Sequence, residues 1–157
     1  MDIRDIRMRW LIKKDLPSVC DIDENIFGHD CWKRKDFVNA LSGKSTIGMT
    51  CEYKNENLGY IVYTLRSQSI HIVRICVDPL YMHMGIGTFM IRRMIEKIDS
   101  SSKRNLLTIT IDEDNLIAQL FLRKCGLKAD KIIRGDYNEN DSYLFVYKQP
   151  VTSEPSS

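Results

Sequence analysis

The stretch Ser69–Val77, SIHIVRICV, is dominated by β-branched side chains, and Pro79 ends it because proline cannot continue a hydrogen-bonded ladder. Shortly beyond that proline, MGIG opens a segment whose apolar residues fall at Ile86, Phe89, Met90, Met94, Ile95 and Ile98. Arg92, Arg93, Glu96 and Lys97 fall elsewhere, which is the signature of a helix with one buried and one wet face. A strand, a tight turn and an amphipathic helix in this order read as mixed α/β.

The remaining chain extends that pattern. A first strand is expected near Met8 to Ile12. Asp15 is placed to cap a helix running toward Ile26, with Leu16, Val19, Ile22 and Ile26 on one face. A short helix follows around Arg34 to Leu41. Thr46 to Tyr53 and Leu58 to Leu65 read as a hairpin across the turn formers Lys54 to Asn57. Leu106 to Ile111 is another strand, and Leu116 to Lys124 a helix ended by Gly126. Lys128 to Ile133 and Tyr143 to Tyr147 are two closing strands. A length of 157 residues with 43% hydrophobic content suits one globular domain, residues 1–149. The tail PVTSEPSS, residues 150–157, is expected to be disordered.

Charge and cysteine usage exclude several classes. The net charge of +2 arises from mixed signs without a dense basic block, so nucleic acid is not an expected partner. Five cysteines form an odd set with no CxxC pair, and the three histidines lie far apart, which argues against a metal site or a disulfide framework. The N-terminus has no apolar signal core and no run approaches a membrane span. The expectation is a soluble cytoplasmic protein without a membrane partner, a monomer or weak homodimer.

Two glycines at the mouth of a helix raise a chemical possibility. The unpaired amides of the first helical turn attract an anion, the helix dipole adds to the attraction, and Gly85 and Gly87 remove the Cβ atoms that would hold a phosphate away. The alternative is that Gly-x-Gly merely eases the turn and lets the helix pack closely on the sheet. The full dinucleotide fingerprint is missing because residue 90 is Met, and no Gly-Lys-Ser/Thr follows to make a Walker loop.

The run ICVDPLYMHMGIGTFMI resembles the acetyl-CoA loop of the GCN5-related N-acetyltransferase (GNAT) superfamily, and DNLIAQLFLRKCGLKA resembles its Asn-x-x-Ala-x-x-Leu-Tyr-x-Lys-x-Gly-Phe segment. DIDENIFGHDCWKRKDF and RGDYNENDSYLFVY are similar to segments of the RimI-type ribosomal-protein N-terminal acetyltransferases, so the resemblance covers Met8 to Lys148. It implies a mixed, mostly antiparallel sheet flanked by helices, whose central parallel strands splay to admit acetyl-CoA as cosubstrate. It further implies that the backbone of Ile75, Cys76 and Val77 pairs with pantetheine amides. The amides of His83, Met84, Gly85, Ile86, Gly87 and Thr88 would hold the pyrophosphate. Asn115 matches the family's pantetheine-contacting Asn, and Lys124 the Lys of the Tyr-x-Lys segment. Glu24, Phe27 and Tyr137 match regions that shape the first residues of a peptide substrate.

Three departures from the family pattern bear on chemistry. Met82 stands where the loop signature has Gln or Arg. Leu122 stands at the cofactor-side position of the Tyr that protonates the departing thiolate, and Thr110 at the position of the RimI-type Glu that accepts the amine proton. Thr110 and Tyr137 are the catalytic candidates that remain, with Asp112, Glu113 and Glu24 as further carboxylates. Positioning an amine against a thioester supplies several kcal/mol by itself, and general acid or base help adds roughly 10² to 10⁴-fold. An α-amine has a pKa of about 7.7 to 8.0 against about 10.4 for lysine, so a site without a strong base favours N-terminal amines. The expected reaction is direct acetyl transfer in a ternary complex to a protein N-terminus. A small-molecule amine acetyltransferase, a non-catalytic acyl-CoA-binding module and a phosphate-loop nucleotide binder are the alternatives.

Overall fold

Each element forms where local chemistry allows it. The computed structural model describes residues 1–135 and 140–151. Strand β1 (Arg7–Trp10) is shorter than expected, because the chain leaves the sheet after Leu11, whose amide still donates to Gly48 O at 3.0 Å, and makes a 3-10 turn over Lys13–Asp15. Helix α1 (Leu16–Phe27) then starts with Pro17 in its first turn, where a missing amide costs nothing. Asp15 precedes it as expected but does not cap it through its side chain. Its carboxylate accepts from the Ile12 amide at 2.8 Å and takes a two-pronged ion pair from Arg9, both contacts 2.8 Å.

Helix α2 (Arg34–Leu41) leads into a hairpin of β2 (Thr46–Tyr53) and β3 (Glu56–Leu65). The turn is only Lys54 and Asn55, both at positive φ, so its backbone twist matches the strands and β3 begins two residues earlier than the sequence pattern indicates. Strand β4 (Ser69–Val77), α3 (Ile86–Asp99), β5 (Leu106–Asp112), α4 (Leu116–Lys124), β6 (Lys128–Ile133) and β7 (Ser142–Lys148) complete the order. Helix α4 ends in a Schellman arrangement. Leu127 N donates to Leu122 O and Gly126 N to Arg123 O, both at 3.0 Å, with Gly126 at φ +101°.

The seven strands form one sheet in the order β1-β2-β3-β4-β5-β7-β6. Every neighbouring pair is antiparallel except β4 and β5. Helices cover both faces. On one, Ile86, Met90, Ile91, Met94 and Ile98 of α3 and Leu122 of α4 bury against Ile61, Ile72, Leu107 and Phe145 of the sheet. On the other, Leu16, Val19 and Ile22 of α1 and Phe37 of α2 bury against Tyr60, Val62 and Cys76. Of the strands, α1 and α2 contact mainly β2, β3 and β4, so among the described residues no helix covers this face of β5 and β7.

Candidate active site

The geometry turns on where β4 and β5 stop pairing. Their parallel ladder runs from Ser69 opposite Leu106 to Ile72 opposite Ile109 and then ends. Beyond that point each strand is held by its other neighbour alone. Strand β3 keeps β4 as far as Gly59 opposite Val77, and β7 keeps β5 as far as Ser142 opposite Asp112. The departure coincides with a bulge, for Arg74 opposes Val62 and Ile72 opposes Tyr63, which leaves Val73 as the extra residue of β4.

A bare strand edge therefore faces the gap. Asp78 N donates to Leu58 O at 2.8 Å, and alternation along an antiparallel pair directs the backbone groups of Cys76 and Arg74 at β3 as well. Ile75 and Val77 direct theirs into the opening. Of the three strand residues expected to pair with pantetheine, two are free to do so, and Cys76 is spent on Tyr60. The Cys76 thiol is also enclosed, and burial pushes its pKa up to about 12.

Past β4, the Asp78 carboxylate accepts from Leu80 N, a 3-10 turn spans Pro79–Tyr81, and the chain reaches α3 through His83 and Gly85, at φ +64° and +84°. After Met82 N, which donates to Pro79 O at 3.5 Å, the next amide with a backbone partner is that of Phe89, donating to Gly85 O at 2.9 Å. Among the described residues, those of His83 to Thr88 have none, and Met82 to Gly85 lie exposed. The two glycines serve different ends. A Cβ on Gly85 would meet only Ile3 Cδ1 at 3.7 Å, so that position is set by backbone conformation. A Cβ on Gly87 would meet the Phe121 ring at 3.1 Å and Val77 at 3.7 Å, so there the glycine lets α3 approach α4 and the sheet. The close-packing alternative holds at Gly87.

Opposite this edge, α1 is tied to β4 by a buried polar cluster that sequence reasoning missed. Asp23 is fully buried, receives the Arg74 guanidinium through two hydrogen bonds of 2.7 and 2.8 Å, and also accepts from the Tyr60 hydroxyl and the Trp32 amide. The Cys76 thiol donates to the Tyr60 hydroxyl at 3.3 Å. Burial is the largest single influence and works to lower the Arg74 pKa, but the hydrogen bonds and charges of Asp23 and Tyr60 together outweigh it, and the guanidinium stays charged. The Arg74 guanidinium also lies 3.9 Å from the centre of the Phe27 ring and 4.9 Å from that of Trp32. The sequence carries a signal for this. Asp23 falls on the same helical stripe as Val19, Ile22 and Ile26, and a carboxylate on an apolar stripe requires a buried partner.

The other expected residues separate. Thr110 is the first residue of β5 past the last rung to β4, half-buried and paired with Leu144. Phe27 overhangs the β4 bulge through Arg74, whereas Glu24 faces away into a 410 Å³ groove with Cys20, Cys31 and Trp32. Asn115 is the N-cap of α4, its Oδ1 accepting from Ala118 N at 3.1 Å. Lys124 is exposed at the end of α4. Leu122 is 1% exposed, so its side chain is core and does not line the gap. Tyr137 lies outside the described residues.

Residues 7–127 match the family model of the Acetyltransferase (GNAT) family. The chain belongs to the GNAT acetyltransferase family. An uncharacterized N-acetyltransferase of Methanocaldococcus jannaschii is 22% identical over 153 residues, covering 94% of this chain and 95% of the relative. Among solved structures, the ribosomal-protein-S18-alanine N-acetyltransferase of Escherichia coli superposes with a TM-score of 0.81 at 17% identity, over 95% of this chain and 97% of that one. The NAA60 protein of Arabidopsis thaliana in complex with acetyl-CoA gives 0.78 at 18%, over 91% and 99%. A spermidine N-acetyltransferase SpeG mutant from Vibrio cholerae gives 0.77 at 12%, over 93% and 95%. The GNAT fold is thus shared by relatives with different acceptors. No described helix of this GNAT domain is long and apolar enough to cross a membrane.

Proposed function

We propose that this GNAT domain transfers the acetyl group of acetyl-CoA to the N-terminal α-amine of a protein, directly and within a ternary complex. The observation that carries the reading is the parting of β4 and β5 beside a corner of unpartnered amides. An extended pantetheine arm added along Ile75 and Val77 supplies the partner that β4 lacks, by the logic of strand addition. The amides from His83 to Thr88, at the positive end of α3, suit the pyrophosphate. With Gln or Arg replaced by Met82, which is 42% exposed, the backbone carries this grip.

The chemistry follows from what lies at the gap. Cys76 is neutral and enclosed, so no thiolate is available to form an acyl-enzyme, and the acceptor nitrogen attacks the thioester carbon itself. The carbon–nitrogen bond forms, the carbon–sulfur bond breaks, and its electron pair leaves on sulfur. Thr110 stands at the mouth of the gap on the helix-free face, where its hydroxyl can hold a water against the incoming amine. An α-amine is about one-tenth neutral at pH 7 and about half neutral at pH 8, so it needs less help from a base than lysine does. The likeness to N-terminal acetyltransferases favours the same acceptor, while the likeness to a spermidine acetyltransferase makes a polyamine the competing one.

Mass spectrometry decides between them. The protein is incubated with acetyl-CoA and synthetic peptides beginning with Ala, Ser, Met or Gly, with their Nα-blocked counterparts, and with spermidine. The expected product is a peptide 42 Da heavier at its free N-terminus and nowhere else, where about 42 Da is the mass of an added acetyl group in this transfer chemistry. Acetylation of spermidine alone replaces the peptide reading, and acetyl-CoA binding with no acceptor modified makes the domain a binding module.

A further inference from the structure

One titratable side chain at the gap has no part in the reading above. His71 lies on β4 one residue before the last rung to β5, and faces Thr108 across that ladder with Nδ1 and Thr108 Oγ1 2.8 Å apart. Its neighbours Ile70 and Ile72 point into the core beneath α3, so His71 points to the opposite face. Thr108 and Thr110 share that face, because Leu107, Ile109 and Ile111 of β5 point beneath α3. His71, Thr108 and Thr110 form a polar row at the point where the strands separate. Nε2 of His71 makes no hydrogen bond to the described residues, although the side chain is half-buried.

We propose that His71 is the proton acceptor of the transfer, oriented by Thr108 and reaching the amine through one water held at Thr110. This rests on the acetyltransferase reading and fills the place that Thr110, a poor base, leaves open. The span is suitable. From His71 to Val73, the first residue of β4 past the ladder, is about 7 Å along the strand, which an imidazole and one water bridge. In the tautomer this role requires, Nδ1–H donates to Thr108 Oγ1 and the Nε2 lone pair is free. As the acceptor nitrogen bonds to the thioester carbon, its surplus proton passes through the water to Nε2. The electron pair of the broken carbon–sulfur bond leaves on the coenzyme A sulfur, which takes a proton back from the imidazolium through solvent.

Protonation states agree with this role. Burial, with a smaller contribution from the positive charge of Arg66, holds the His71 pKa below the ordinary histidine value, so the imidazole is neutral and able to accept a proton at pH 7. Thr64 faces it from β3 and Thr108 from β5, and neither titrates.

The test uses the full chain with two readouts. In nitrogen-15 histidine spectra, His71 is expected at pH 7 with its proton on Nδ1 and none on Nε2, and a proton on Nε2 overturns the assignment. The second readout is His71→Asn, whose amide sits where Nδ1 does and can keep the bond to Thr108 but cannot accept a proton. With a peptide that the unmodified protein acetylates, the variant is expected to lower kcat by about 10² to 10⁴-fold and to lose the acid limb of the pH profile. KM and acetyl-CoA affinity by calorimetry stay close to the parent's. An unchanged kcat and acid limb overturn the proposal while leaving the acetyltransferase reading intact. If the unmodified protein acetylates no amine, that reading fails first, and His71 has no transfer to serve.

Discussion

Gly85 has space around it and an unusual backbone, whereas Gly87 has an ordinary backbone and no space. Alanine at Gly85 must hold φ near +84°, where an L side chain loses about 1 to 2 kcal/mol, or else turn the corner and misdirect its amides. Gly85→Ala is therefore expected to lower stability by about 1 kcal/mol and to weaken acetyl-CoA binding at least tenfold, read by urea denaturation and calorimetry. A stability loss with undiminished affinity removes the corner from the cofactor site. The motif MGIG is legible in the sequence as a turn into a helix. Which glycine serves the backbone and which serves packing is not, since Phe121 reaches Gly87 from a helix that begins some thirty residues later. Leu122 and Asn115 show the same limit. Their places in the segment are readable, but a core leucine and a helix cap become evident only once α4 is seated.

At the scale of elements, α1 is fastened to the sheet by one charge pair set in aromatic rings. Asp23 and Arg74 leave 0% and 14% of their side chains exposed, so neither charge can fall back on water if its partner is removed. Arg74→Ala is expected to destabilise the fold by about 3 to 5 kcal/mol in urea titration, because it strands a buried carboxylate and unstacks Phe27 and Trp32. Arg74→Lys keeps the charge but not the planar fork, and is expected to recover only part of that loss. A change below 1 kcal/mol in Arg74→Ala contradicts the clamp. Helices and hairpins are the most legible elements here. The spacing of Leu116 to Lys124 and of Arg34 to Leu41 gives both helices to the residue, because apolar periodicity and end signals are local. Asp15 is misread for the reverse reason, since its true partner Arg9 sits on a neighbouring strand.

Across the whole molecule, the sheet consists of two panels, β1 to β4 and β5 to β7, joined by four rungs of a parallel ladder. The resemblance implies splayed strands, but where the ladder stops depends on a bulge whose partner residues lie on β3, out of reach of any local pattern. A molecule that binds along both panels completes the sheet between them. Acetyl-CoA is accordingly expected to raise the melting temperature and to slow hydrogen exchange at the amides of Ile75 and Val77. Protection confined to other regions contradicts the proposed course of the cofactor. The bulge also decides what the second half of β4 shows to each side. Ile70 and Ile72 point beneath α3, and so do Ile75 and Val77, which even spacing would not permit without the extra Val73. Taking that one residue out would leave Arg74 opposite Val62, and Ile75 and Val77 still beneath α3, while straightening the place where β4 turns away from β5. A three-nucleotide in-frame deletion at that codon would then spare the packing on both faces and instead let the parallel rungs run on past Ile72, shutting the opening that an exchange of the valine would leave in place.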